Sequence, residues 1–188
     1  LSNSYIKNEG NGKFTIAALP SQAQYSCMNG MLAEDFDGDG NLDLLINGND
    51  FSTEVSVGRY DACNGTFLKG NGKWGFTSEL MAQSGWFVPG NGKALIKLKD
   101  SHDNVLIAAS QNKGALKVFK LEKKTNTITF NADDISAKIL YKNGKSRMVN
   151  IDYGSSFLSQ SGRFLNVDNN VSSVDIKNSK GNIRTIKL

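Results

Sequence analysis

Apolar residues along this chain fall in short runs with a period near two. Lys13-Phe14-Thr15-Ile16, Ala94-Leu95-Ile96-Lys97-Leu98, Val105-Leu106-Ile107-Ala108, Leu116-Lys117-Val118-Phe119 and Thr127-Ile128-Thr129-Phe130 are β-branched, aromatic or alternating, as strands are. Between them Asn-Gly recurs at 11–12, 29–30, 47–48, 64–65, 71–72, 91–92 and 143–144. Both residues of this pair tolerate positive φ, which makes it the strongest short hairpin signal. The pattern predicts a series of hairpins. The best helical stretch, Thr77 to Phe87, is broken by Gly85 and has a poor period, so the expected fold class is all-β.

Aligning the turns exposes an internal repeat. Tyr5-Ile6-Lys7 leading into Gly10-Asn11-Gly12-Lys13-Phe14 matches Phe67-Leu68-Lys69 leading into Gly70-Asn71-Gly72-Lys73-Trp74-Gly75-Phe76, and Gly-Asn-Gly-Lys returns at 90–93. Small sheets repeated every ~40–60 residues cannot each bury two faces alone, which implies radial stacking as in a propeller. Residues 1–121 then make a partial β-propeller of two to three blades. Residues 66–80 supply the outer hairpin of one blade, and 92–121 begin another. The first hairpin has no inner strands before it, so upstream propeller blades of the same parent chain, or a second copy, are expected to complete the ring. From about Glu122 aromatics thin out and Asp and Asn increase, and residues 122–188 read as a separate small β-domain.

The candidate chemistry is concentrated in Asp35-Phe36-Asp37-Gly38-Asp39-Gly40-Asn41-Leu42-Asp43. Carboxylates at every second position of a glycine-broken loop suit a hard cation, since calcium takes six to eight oxygens at ~2.3–2.6 Å. Asp35, Asp37, Asp39 and Asp43 are the predicted side-chain ligands, with the carbonyl of Asn41. Without a cation these charges repel. The competing reading is an exposed Asp-Gly turn between strands. An EF-hand is excluded, because the twelfth position is Ile46 and the flanks read as strands.

This loop between two short apolar runs resembles the FG-GAP/VCBS repeat, a propeller-blade unit whose Asp-x-Asp-x-Asp-Gly-x-x-Asp connection binds calcium. Gly154-Ser155-Ser156-Phe157-Leu158-Ser159-Gln160-Ser161, followed by the Val174-Asp175 strand, is similar to the core of the ASPIC/UnbV domain that follows such repeats. Asn178-Ser179-Lys180-Gly181 stands where that family usually has Trp-Pro-Ser-Gly, so a family aromatic is missing. The resemblances imply a non-catalytic calcium-binding recognition or adhesion module of a secreted or surface bacterial protein, with a protein or glycan at the cell surface as partner. The alternative is an accessory or C-terminal part of a polysaccharide-active enzyme whose catalytic residues lie upstream.

Composition narrows the choice further. The 188 residues carry a net charge of +4, but the lysines are scattered, and the densest group is Lys120, Lys123 and Lys124. That pattern argues for solubility and against nucleic acid. No run approaches ~18 apolar residues, so no membrane span is expected. The absence of an initiating Met and of a signal-peptide pattern suggests a removed targeting segment and a longer parent chain. Two cysteines, Cys27 and Cys63, allow one disulfide or two free thiols. A calcium loop of this kind fills where free calcium is near millimolar, which places the protein outside the cytoplasm: extracellular, periplasmic or on the cell surface.

Catalysis is hard to assemble from these residues. His102 is the one histidine, which excludes zinc sites needing two and leaves a Ser-His-Asp triad hanging on a polar turn. Ser159 and Ser161 lie in no nucleophile elbow and read as turn-binding residues. Asp133 and Asp134 point to opposite faces of a strand. Asn49 to Cys63 reads as an inserted loop, in which Arg59, Tyr60 and Asp61 are candidates for ligand contact or for an Arg-Asp pair that pins the loop. Trp74, Trp86, Phe87, Tyr60 and Phe51 could line a sugar-binding face, although core packing explains most such aromatics.

Overall fold

A computed structural model describes residues 2–122, 126–155 and 158–188. Lys123, Lys124, Ser156 and Phe157, named above, lie outside the described residues. The chain is all-β and built from several small antiparallel sheets. Strands β1 (Ser4–Gly10) and β2 (Lys13–Ala18) form a hairpin; β3 (Met28–Glu34), β4 (Asp43–Gly48), β5 (Thr66–Gly70) and β6 (Phe76–Glu79) form a four-stranded meander; β7 (Gly92–Lys99), β8 (Val105–Gln111) and β9 (Lys117–Lys120) form a three-stranded one. A four-stranded antiparallel meander is the architecture of a propeller blade. Among the described residues no helix is long and apolar enough to cross a membrane.

These three sheets stack as layers because each strand is apolar on alternate faces. On the central sheet, Leu32, Leu45 and Phe67 pack against Leu95, Val105, Ile107 and Ala109 of β7–β9. Its other face, carrying Leu44, Ile46 and Leu68, packs on Leu19 and Ala23 with Tyr5 of β1 alongside. The central strands are therefore apolar on both sides, and β4 is buried along its whole length.

The terminal part contains β10 (Asn126–Thr129), β11 (Asp134–Tyr141), β12 (Ser146–Asn150), β13 (Phe164–Val167), β14 (Val171–Asn178) and β15 (Ile183–Lys187). A four-stranded sheet, β12-β11-β14-β15, covers the β10–β13 pair around a core that includes Ile128, Ile139, Leu165, Val174 and Ile176. Phe164 leaves this core and joins that of the layered sheets. The approach to β13 also borrows the edge of β7, where the Gly162 N–H donates to the Lys97 carbonyl at 2.7 Å.

One local expectation, that Thr77–Phe87 is not a helix, holds, and one needs correction. Only Met81–Ser84 is helical in the Thr77–Phe87 stretch, and Phe76–Glu79 is strand β6; pairing with β5 overrides propensity there. Asn-Gly makes hairpin turns at 11–12, 71–72 and 143–144, but Asn29-Gly30 and Asn47-Gly48 lie inside β3 and β4, and Gly92 opens β7. In those places glycine permits a close approach. A Cβ on Gly30 would lie 2.5 Å from the Asn47 side chain, and one on Gly48 would lie 1.9 Å from the Cys27 carbonyl. The asparagines stitch layers together, Asn47 donating to the Ala94 carbonyl at 3.1 Å and Asn29 to the Gly92 carbonyl at 2.8 Å.

Candidate metal centre

The acidic loop joins β3 to β4, and its own side chains fold it. Asp35 accepts the N–H groups of Gly38 at 2.6 Å and Gly40 at 2.9 Å. Asp37 accepts that of Asp39 at 3.0 Å, and Asp39 that of Asn41 at 2.8 Å. Such Asx-type turns reverse the chain every two residues. Gly38 and Gly40 take φ of 80° and 88°, a region that favours glycine. As a result, one oxygen from each of Asp35, Asp37 and Asp39 lies within 4.8 Å of the others.

A positive side chain meets this cluster from β5. Lys69 of β5 ion-pairs with Asp37 and stands 3.4 Å from Asp39. Its hydrogen bond to Asp37 holds the ammonium well above the usual lysine range. Burial works to raise the Asp39 carboxyl, but the Asn41 amides and Lys69 together bring it below its ordinary value. The donor set is all oxygen and partly exposed, which fits a hard divalent cation such as calcium or magnesium.

Asp43 occupies a different position from the other three. It is the fully buried first residue of β4, and its two oxygens accept the Gly70 N–H at 2.9 Å and the Phe36 N–H at 3.1 Å. Burial pushes its carboxyl up to about 6 against the pull of those amides. It ties the base of the loop to β5. Asn41 sets its side chain against the β5–β6 turn, where a Cβ on Gly72 would lie 2.2 Å from its Oδ1. Of the five residues predicted as ligands, the structure thus gathers Asp35, Asp37 and Asp39, and places Asp43 and Asn41 at the loop's closing end.

The inserted loop after β4 is held mainly by its backbone. Asp50 and Tyr60 exchange two main-chain bonds of 2.9 Å. Arg59 stands 5.1 Å over the Phe51 ring, and no Arg59–Asp61 ion pair occurs among the described residues. Arg59, Tyr60 and Asp61 are all exposed. The residue that sequence reasoning missed is Asn49. Buried with φ of 85°, it accepts the Cys63 N–H at 2.9 Å and donates to the carbonyls of Cys63 at 2.6 Å and Gly90 at 3.0 Å, closing both ends of the insertion. A second asparagine directly after Asn47-Gly48 was the available signal.

Trp86 is buried and donates its indole N–H to the Ile46 carbonyl at 3.0 Å, whereas Trp74 is half-exposed on the β5–β6 turn and stacks near Tyr5 at 6.2 Å. Both cysteines are free, Cys63 buried and Cys27 exposed. Ser161 accepts the Lys97 N–H at 3.2 Å and donates its own N–H to Ser155 at 2.7 Å, as a turn-binding serine does. Between β3 and the terminal unit lies a cleft of about 450 Å³ lined by Glu34, Lys97, Arg147 and Gln160 among others; there Lys97 is ion-paired to Glu34. In comparisons with known proteins, no family model matches the chain and neither does any curated protein.

Proposed function

We propose that this chain is a calcium-binding, non-catalytic recognition module: the C-terminal portion of an FG-GAP/VCBS-type propeller with an ASPIC/UnbV-like terminal domain, belonging to a secreted or surface-attached bacterial protein. The observation that carries this reading is the convergence of Asp35, Asp37 and Asp39 within 4.8 Å on the connection between two inner strands of a four-stranded meander. Three carboxylates brought this close repel one another, which a divalent ion bound between them would relieve. Calcium bound by these three residues would fix the β3–β4 connection, and Lys69 would compete with it for Asp37 and Asp39. The role of the ion is then structural, with binding and folding linked.

The same neighbourhood supports a glycan as partner. Trp74 is half-exposed on the turn whose Gly72 abuts Asn41 of the acidic loop, and a flat aromatic face stacks on the apolar face of a sugar. His102 is exposed in the β7–β8 turn beside Ser101 and Asp100, and its backbone N–H caps that turn, which favours recognition over hydrolysis. Titration calorimetry with calcium on the full chain and on Asp37→Ala tests the metal reading. Binding by the parent chain and its loss in the variant are expected; no heat and no change in melting on adding calcium would make the loop an ordinary turn. A glycan screen in calcium, repeated with Trp74→Ala, tests the partner.

A further inference from the structure

Register makes the first hairpin equivalent to the outer hairpin of the central sheet. Lys7 pairs with Thr15 as Lys69 pairs with Thr77, and Asn8 with Phe14 as Gly70 with Phe76. Tyr5 then corresponds to Phe67 and Ile6 to Leu68. The two aromatic residues behave alike, each packing forward onto the next layer: Tyr5 on the Leu44–Ile46–Leu68 core and Phe67 on the core shared with β7 and β8. The two aliphatic residues do not. Leu68 faces back toward the first hairpin and is 0% exposed, whereas Ile6 is 64% exposed, with Phe14 at 62% and Ile16 at 70% on the same face.

The other end of the stack has a matching surface. Leu95, Ile107, Ala109 and Phe119 of β7–β9 face the central sheet, so strand alternation puts Ile96, Leu98, Leu106 and Val118 on the opposite face. Register aligns Ile96, Ala108 and Val118 in one row and Leu98 with Leu106 in the next. Val118 is 55% and Leu98 37% exposed. The back of the first layer and the front of the last therefore both carry exposed apolar residues, with exposed Lys120 of β9 completing the Leu98–Leu106 row at the edge of the second. They are the two halves of a layer-on-layer contact that the chain makes twice internally.

We propose that a second copy of this chain covers these faces, with Ile6, Phe14 and Ile16 of one copy stacked on Leu98, Leu106 and Val118 of the other in the same sense as the internal layers. Both complementary surfaces are on one molecule and at opposite ends of the stack, so self-association satisfies each with the other, continuing an interface the fold already contains. A partner with a single patch would leave one face wet. The contact is head-to-tail, and a closed pair of three-layer chains brings the layers into the ~4–8 of closed propellers. This inference is independent of calcium.

Sedimentation velocity of the full chain, from low to high micromolar concentration, tests it. The expected result is concentration-dependent self-association that Ile16→Glu and Val118→Glu each weaken at least ~10-fold, because a charge is desolvated in the contact. Both positions are exposed, so circular dichroism melting at a concentration where the parent is monomeric should be unchanged. Mixing the two variants should restore a heterodimer, since one keeps an intact front and the other an intact back. A chain that stays monomeric throughout, or variants that associate like the parent, would overturn the proposal and leave the faces to a segment of a longer chain or to another protein. Variants that weaken association separately but fail to combine would overturn the head-to-tail arrangement.

Discussion

In the terminal sheet, Asp134 is fully buried and its charge is answered within the chain: Arg184 grips both oxygens at 2.5 and 2.6 Å, and the Asn131 N–H donates at 2.6 Å. In the β3–β4 loop, three partly exposed carboxylates converge, and two of them, Asp37 and Asp39, share Lys69. The first site holds one negative charge with a matched, bidentate cation, the geometry in which a buried ion pair is worth most. The second sets three carboxylates within 4.8 Å of one another on a partly exposed turn. Residue type alone therefore does not distinguish the two sites; how closely the carboxylates converge does.

The largest test of this contrast is Asp134→Ala. It leaves half-exposed Arg184 without its partner and the Asn131 N–H without an acceptor, and chemical denaturation should show a loss of roughly 3 kcal/mol from the charge-assisted hydrogen bonds removed. Alanine at Asp37 should cost little in chelator, since that carboxylate relieves crowding when removed. A loss at Asp37 as large as that at Asp134 would make the loop an internally satisfied structure and collapse the distinction.

Calcium should separate the two regions next. At a hundredfold excess over its dissociation constant a folded-state ligand stabilises by about 2.7 kcal/mol, which for a chain of this size raises the melting temperature by roughly 5–10 °C. Asp37→Ala should abolish the shift and Asp134→Asn should leave it in place.

Acid offers a smaller, complementary effect. Arg184 holds the Asp134 carboxyl below its ordinary value, so the folded state binds that proton more weakly than the unfolded state does. The associated stability is present above the unfolded value of ~3.9 and is lost as pH falls through the folded one. Melting curves taken from pH 5 downward should therefore fall more steeply in the parent than in Asp134→Asn. The smallest effect concerns Lys69→Met, which removes the competing ammonium; calcium affinity should rise by a few-fold at low salt, less as salt screens the exposed loop. An unchanged or weaker affinity would mean that Lys69 supports the ion and does not compete with it.

Much of the architecture was written in local pattern. Period-two runs at β2, β7, β8, β9 and β10 fall within three residues of the observed strand ends, because alternation on a pleated backbone is a local property. The loop at 35–43 and the outer hairpin at 66–80 were legible for the same reason: aspartates two apart and glycines at positive φ dictate their own turn. The tertiary structure decided what no local rule contains. It placed Asn29-Gly30 and Asn47-Gly48 inside strands, since the neighbouring sheet comes too close for a larger residue and asparagine can bond across the gap. It turned Asp43 inward to accept the Gly70 and Phe36 amides, brought Lys69 to the cluster from a strand more than twenty residues on, and made Asn49 the clasp of the insertion. Periodicity determined which residues are strand and local turns determined which carboxylates converge; only packing between layers determined which cation meets them and which apolar faces stay open, because both depend on contacts between segments far apart in the chain.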